Sequence, residues 1–136
     1  MSDARVGDVA VAETVLLVED DVLVRLVIAG YLRDCGYRVL EAASADEALR
    51  LLERDEPRVD VVLTDIEMPG QMDGFALAQW LRRERPSIEV LMAGTPARAA
   101  DAAGDLCEQS PTPTRPDSPT VVLARIRRLL AMRRRP

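Results

Sequence analysis

The stretch TVLLVEDD, Thr14 to Asp21, sets a continuous β-branched and aliphatic run directly against three acids. A run with no polar alternation suits a strand covered on both faces. VDVVLTD (Val59 to Asp65) has the same form and also ends on an acid, and IEVLMA (Ile88 to Ala93) is a third such run. YRVLEA (Tyr37 to Ala42) is a shorter strand candidate. Helical spacing fills the gaps between them. Val24, Val27, Ile28, Tyr31 and Cys35 recur on one face, and Gly36 supplies a stop. Ser44 and Glu47 form a capping box for a helix with Ala48, Leu49 and Leu52 inside. Asp73 or Gly74 opens a helix carrying Phe75, Leu77, Ala78 and Leu81. Residues 96–109 have helical composition but little bulk, and 119–132 are helical with Val122, Ile126 and Leu129 or Leu130 on one face. Strand and helix thus alternate, which predicts βαβ units around a parallel sheet with helices on both faces.

Composition narrows the function classes. A chain of 136 residues, 48% apolar, is expected to form one domain with a real core. No apolar run approaches the ~20 residues needed to span a bilayer, and the opening MSDARVGDVAVAE lacks a signal peptide's apolar block. The expectation is a soluble, cytoplasmic protein without a membrane partner. Histidine is absent, and Cys35 and Cys107 lack metal-site spacing, which disfavours zinc, copper and haem. Lysine is absent too, so all 18 basic residues are arginine. A net charge of −5 argues against a nucleic-acid platform. The arginines near the C-terminus, in 133–136, read as a solvated basic tail.

In open α/β sheets, ligands bind beyond the carboxyl ends of the strands. Glu19, Asp20 and Asp21 follow the first strand, and Asp65 ends the third. If these strands are neighbours in an order 2-1-3-4-5, the acids converge in one crevice. Carboxylates that close repel unless a cation sits among them. Magnesium, a hard ion that prefers oxygen, fits such a set. Asp20 or Asp21 could instead cap the helix that begins near Val22.

VLLVEDD (Val15 to Asp21) and VLTDIEMPGQMDG (Val62 to Gly74) together resemble the receiver domain of two-component response regulators. The resemblance covers roughly residues 14–132, leaving 1–13 as a flexible N-terminus and 133–136 as the tail. It implies a flavodoxin-like, doubly wound (βα)5 sandwich with a parallel sheet ordered 2-1-3-4-5. It implies that Asp65 is the phosphoacceptor. It implies that Glu19, Asp20, Asp65 and the backbone carbonyl of Glu67 hold Mg2+, with Asp21 a variable neighbour better suited to capping. A carboxylate that attacks phosphorus beside a bound cation is sound chemistry for these residue types.

The second half of the site departs from the family. Receivers carry a Ser or Thr after the fourth strand; here Gly94 takes that place and Thr95 comes one residue late. A one-residue shift in a strand turns a side chain to the other face, although a loop past the strand end can bring Thr95 into use. Receivers also carry a Lys-Pro pair after the fifth strand. Arg115-Pro116 aligns with it, so arginine replaces lysine and keeps the charge in a different shape. Thr112 falls where an aromatic residue is usual, and Pro111 and Pro113 each remove a ladder donor. The alanine-rich fourth helix and the fifth strand are therefore expected to be irregular, with the helix loosely docked.

The last predicted helix ends near Met132, so the expectation is a stand-alone receiver. It would take a phosphoryl group from a histidine kinase or phosphotransfer protein and signal through an unidentified protein partner. It would assist its own phosphorylation without being a turnover enzyme. A pseudo-receiver, which binds protein without a phosphorylation switch, is the alternative that the departures motivate. A homodimer is open. Asp65-Ile66-Glu67 also loosely resembles the acid-x-acid motif of aspartyl-phosphate phosphatases, but it lies late in a short chain with no cap domain.

Overall fold

In the computed structural model, residues 12–54, 56–110 and 117–133 are described. The two strands that the sequence marks as covered on both faces form the centre of the sheet. Strand β1 (Thr14–Val18) and strand β3 (Val61–Thr64) are buried throughout. They pair in parallel, with β2 (Arg38–Ala42) outside β1 and β4 (Glu89–Met92) outside β3. The order among the described residues is therefore 2-1-3-4, all parallel. This is the flavodoxin-like doubly wound arrangement expected. The place anticipated for a fifth strand, 111–116 with Thr112 and Arg115, lies outside the described residues.

Among the described residues five helices cover the sheet: α1 (Val22–Asp34), α2 (Ala45–Leu52), α3 (Gly74–Glu84), α4 (Pro96–Gln109) and α5 (Pro119–Arg133). Alternate side chains of β1 divide the core. Leu16 and Val18 face α2 and α3, against Ala48, Leu52, Leu77 and Leu81. Val15 and Leu17 face α1, α4 and α5, against Ile28, Leu32, Leu106 and Ile126. The period-2 pleat makes this division. The helix starts are chemically specified. Ser44 Oγ accepts from the Glu47 amide at 3.1 Å, and Glu47 Oε1 accepts from the Ala43 amide at 2.7 Å. Asp73 Oδ1 accepts from the Ala76 amide at 2.9 Å.

The fourth helix corrects the expectation of a loose and irregular element. It is a continuous helix over Pro96–Gln109, and Ala99, Ala100, Ala103, Gly104 and Leu106 are buried. Small side chains supply little apolar area each, but they let helices approach closely. At Gly104 a Cβ would stand 2.3 Å from Cγ of Pro119, so α5 begins where only glycine leaves room. The far end of α4 is tied down by three further links. Cys107 forms a disulfide with Cys35 at the end of α1. The Tyr37 hydroxyl donates to the Leu106 carbonyl, and the Ser110 hydroxyl donates to the Cys35 carbonyl at 2.7 Å. Helix α5 runs through Arg133, one residue beyond the predicted helical stretch.

Candidate functional site

The parallel register brings the acids together. Val18 is level with Ala42 on one side and Thr64 on the other. The ladder continues one step past the strands, with the Glu19 amide donating to Ala42 O at 3.0 Å and the Asp65 amide to Val18 O at 2.9 Å. Glu19 and Asp65 therefore leave adjacent strands at the same level. One carboxylate oxygen from each of Glu19, Asp20 and Asp65 lies within 4.8 Å of the others. That is the convergence the sequence predicts from strand order.

Local bonds hold these side chains in place. The Asp21 amide donates to Glu19 Oε2 at 3.0 Å, and the Ile66 amide donates to Asp65 Oδ1 at 2.7 Å. Arg25 donates to the Glu19 carbonyl at 2.8 Å and is itself held by Glu41 at 3.3 Å. Asp21 is the N-cap of α1, accepting from the Leu23 and Val24 amides at 2.9 and 3.2 Å. Of the two candidate caps, Asp21 takes the role and Asp20 is left to face the crevice. The loop after Asp65 folds back on it. The Gly74 amide donates to Ile66 O at 2.7 Å, and Gly70 turns the chain with φ of 112°.

Burial and mutual repulsion disfavour charge here. Burial pushes the Glu19 carboxyl up to about 8; the Asp21 amide opposes this, and Asp65 and Asp20 add to it. Asp65 is raised as well, first by burial and then by Asp20, against the pull of the Ile66 amide. An all-oxygen donor set that resists ionisation until a cation arrives matches a hard divalent ion.

The acids line a cleft of about 250 Å³ together with Gly94, Thr95 and Arg133. The structure thus places both candidates for the hydroxyl position at the site. Gly94 sits against Ile66, whose Cδ1 a Cβ would approach to 3.2 Å. Thr95 is the N-cap of α4, its Oγ1 accepting from the Arg98 amide at 3.1 Å; a capping hydroxyl keeps its own proton to donate. Glu67 is exposed in the loop after β3. Arg115 lies outside the described residues.

Two arginines escaped the sequence reading. Arg25 carried no signal, since an arginine in the first turn of a helix is ordinary. Arg133 did carry one. It follows Val122 and Ile126 at i+11 and i+7, so it continues the inner stripe of α5. Its guanidinium meets Asp21 at 2.7 and 3.3 Å.

The family model for the response regulator receiver domain matches residues 15–107. The chain is 41% identical over 87 residues to the sensor kinase CckA of Brucella abortus, covering 64% of this chain and 9% of that protein. It is 32% identical over 124 residues to the "Probable transcriptional regulator ycf27" of Guillardia theta, covering 90% of this chain and 47% of that one. The chain therefore spans less than half the length of these curated relatives. Among solved structures it is similar to the response regulator TrrA of Thermotoga maritima in complex with Mg(2+)-BeF. That match has 26% identity and a TM-score of 0.54, and covers 68% of this chain and 78% of the other. No described helix is long and apolar enough to cross a membrane.

Proposed function

The chain belongs to the response regulator receiver family, and on that premise we propose that it accepts a phosphoryl group on Asp65 in magnesium-dependent phosphorelay signalling. The donor is a histidine kinase or phosphotransfer protein. A carboxylate oxygen of Asp65 attacks phosphorus in line. The new O–P bond forms as the bond to the donor's imidazole nitrogen breaks, and the imidazole leaves with the electron pair. Glu19, Asp20, Asp65 and the Glu67 carbonyl would hold Mg2+, which offsets the repulsion among the acids and stabilises charge on the transferring oxygens. The Ile66 amide fixes the carboxyl plane of Asp65. The chain is a phosphoacceptor in the cytoplasm rather than a turnover enzyme, and its output is altered binding to a protein partner.

One observation carries this reading: acids from two adjacent strand ends offer oxygens within 4.8 Å of one another. Intact-mass measurement after treatment with magnesium and acetyl phosphate tests it. The wild-type chain gains the mass of one phosphoryl group, and Asp65→Asn does not. Labelling retained in Asp65→Asn would sink the assignment.

A pseudo-receiver is the second reading, and the arrangement around α4 favours it. Gly94 offers no hydroxyl, and α4 packs with α1 and α5 on one face of the sheet. Under that reading partner affinity is unchanged by magnesium and beryllofluoride.

A further inference from the structure

We propose that Arg133 is a side-chain cation that pairs with the phosphoryl group on Asp65, and that it reaches it by leaving Asp21. The inference rests on the phosphoacceptor reading above and extends it to the last turn of α5.

The chain has no lysine, so any basic side chain that pairs with the phosphoryl group beside the magnesium is an arginine. Among the described residues, Arg133 lines the cleft that also holds Glu19, Asp20 and Asp65. Its two terminal nitrogens grip Asp21 at 2.7 and 3.3 Å, which is the planar fork that suits carboxylate and phosphate alike. The pair is loosely held, because the Arg133 side chain is 46% exposed and exposed ion pairs are weak. Asp21 does not become bare when the arginine leaves, since the Leu23 and Val24 amides still donate to its Oδ1. A phosphoryl group carries a charge of about −1.5 to −2 near neutral pH, against −1 for one carboxylate. The stronger anion draws the guanidinium across the cleft. Asp21 thus parks the arginine in the unphosphorylated state, and the end of α5 registers phosphorylation.

The test uses the full chain with magnesium and acetyl phosphate, following aspartyl phosphate formation by intact mass. Arg133→Ala is expected to slow labelling about tenfold, the scale of one charge-assisted hydrogen bond. Arg133→Lys recovers part of the rate because it keeps the charge and loses the fork. Asp21→Asn keeps the cap, frees the arginine and labels faster than wild type. That opposite sign separates the proposal from a purely structural ion pair, for which Asp21→Asn and Arg133→Ala would both slow labelling. Wild-type labelling rates in both Arg133 variants overturn the proposal and leave the phosphoacceptor reading standing. A wild-type chain that stays unlabelled overturns the phosphoacceptor reading, and the arginine's role falls with it.

Discussion

At Gly74 a Cβ would stand 2.0 Å from the carbonyl oxygen of Asp65 and 2.9 Å from Cα of Ile66. The obstacle is backbone, so it cannot swing aside. Gly74→Ala is expected to cost ~1–3 kcal/mol, the range for forced overpacking, and to lower the rate of acetyl phosphate labelling. Urea denaturation and intact-mass kinetics check the two effects separately. Gly94 is the contrasting case, because the atom facing it is the mobile end of Ile66. At this scale the sequence was informative wherever a residue directly follows a strand. Glu19, Asp20 and Asp65 were legible because parallel strands deliver their next residues to one edge. Arg25 was not, and Arg133 was marked only by its place on the inner stripe of α5, because an arginine reaches its partner through a long side chain whose direction only packing decides.

Helix α4 shows how an element escapes a reading based on bulk. Its inner face is alanine and glycine, which composition alone makes weak, yet it is buried at Ala100, Ala103 and Leu106. Close approach to α5 and the link from Cys107 to Cys35 supply what side-chain volume does not. The cysteines are 72 residues apart, a separation that carries no pairing signal in a single sequence. A crosslink over that separation stabilises by ~4 kcal/mol in the loop-closure estimate. Cys107→Ser is therefore expected to lower unfolding free energy by a few kcal/mol. Hydrogen exchange should show α4 amides losing protection before those of β1 and β3. Equal protection of α4 in the variant and the wild type would show that packing alone holds the helix. The helix starts, by contrast, were written locally: Ser44 with Glu47, and Asp73, cap where their spacing says.

For the whole molecule, the site is bound to the stability of the fold. The Glu19 carboxyl is raised from 4.5 to about 8 in the folded chain, and Asp65 moves the same way. Between those pH values the folded state binds more protons than the unfolded one. Stability without magnesium is therefore expected to fall as pH rises from about 4.5 to about 8. Glu19→Gln flattens that decline, which thermal melts on both sides of the window measure. On the proposed magnesium reading protons and the cation compete for the same oxygens, so magnesium affinity is expected to rise across the window and added magnesium to restore stability most at its alkaline end. By itself the sequence determined the parallel α/β sheet, its buried central strands and the identity of the acids. Those properties follow from local periodicity and from the place of a residue after a strand. Only the tertiary structure decided that α4 joins α1 and α5 on one face, that Cys35 meets Cys107, and that Arg133 enters the cleft. Each depends on the approach of segments far apart in the chain, which local periodicity does not encode.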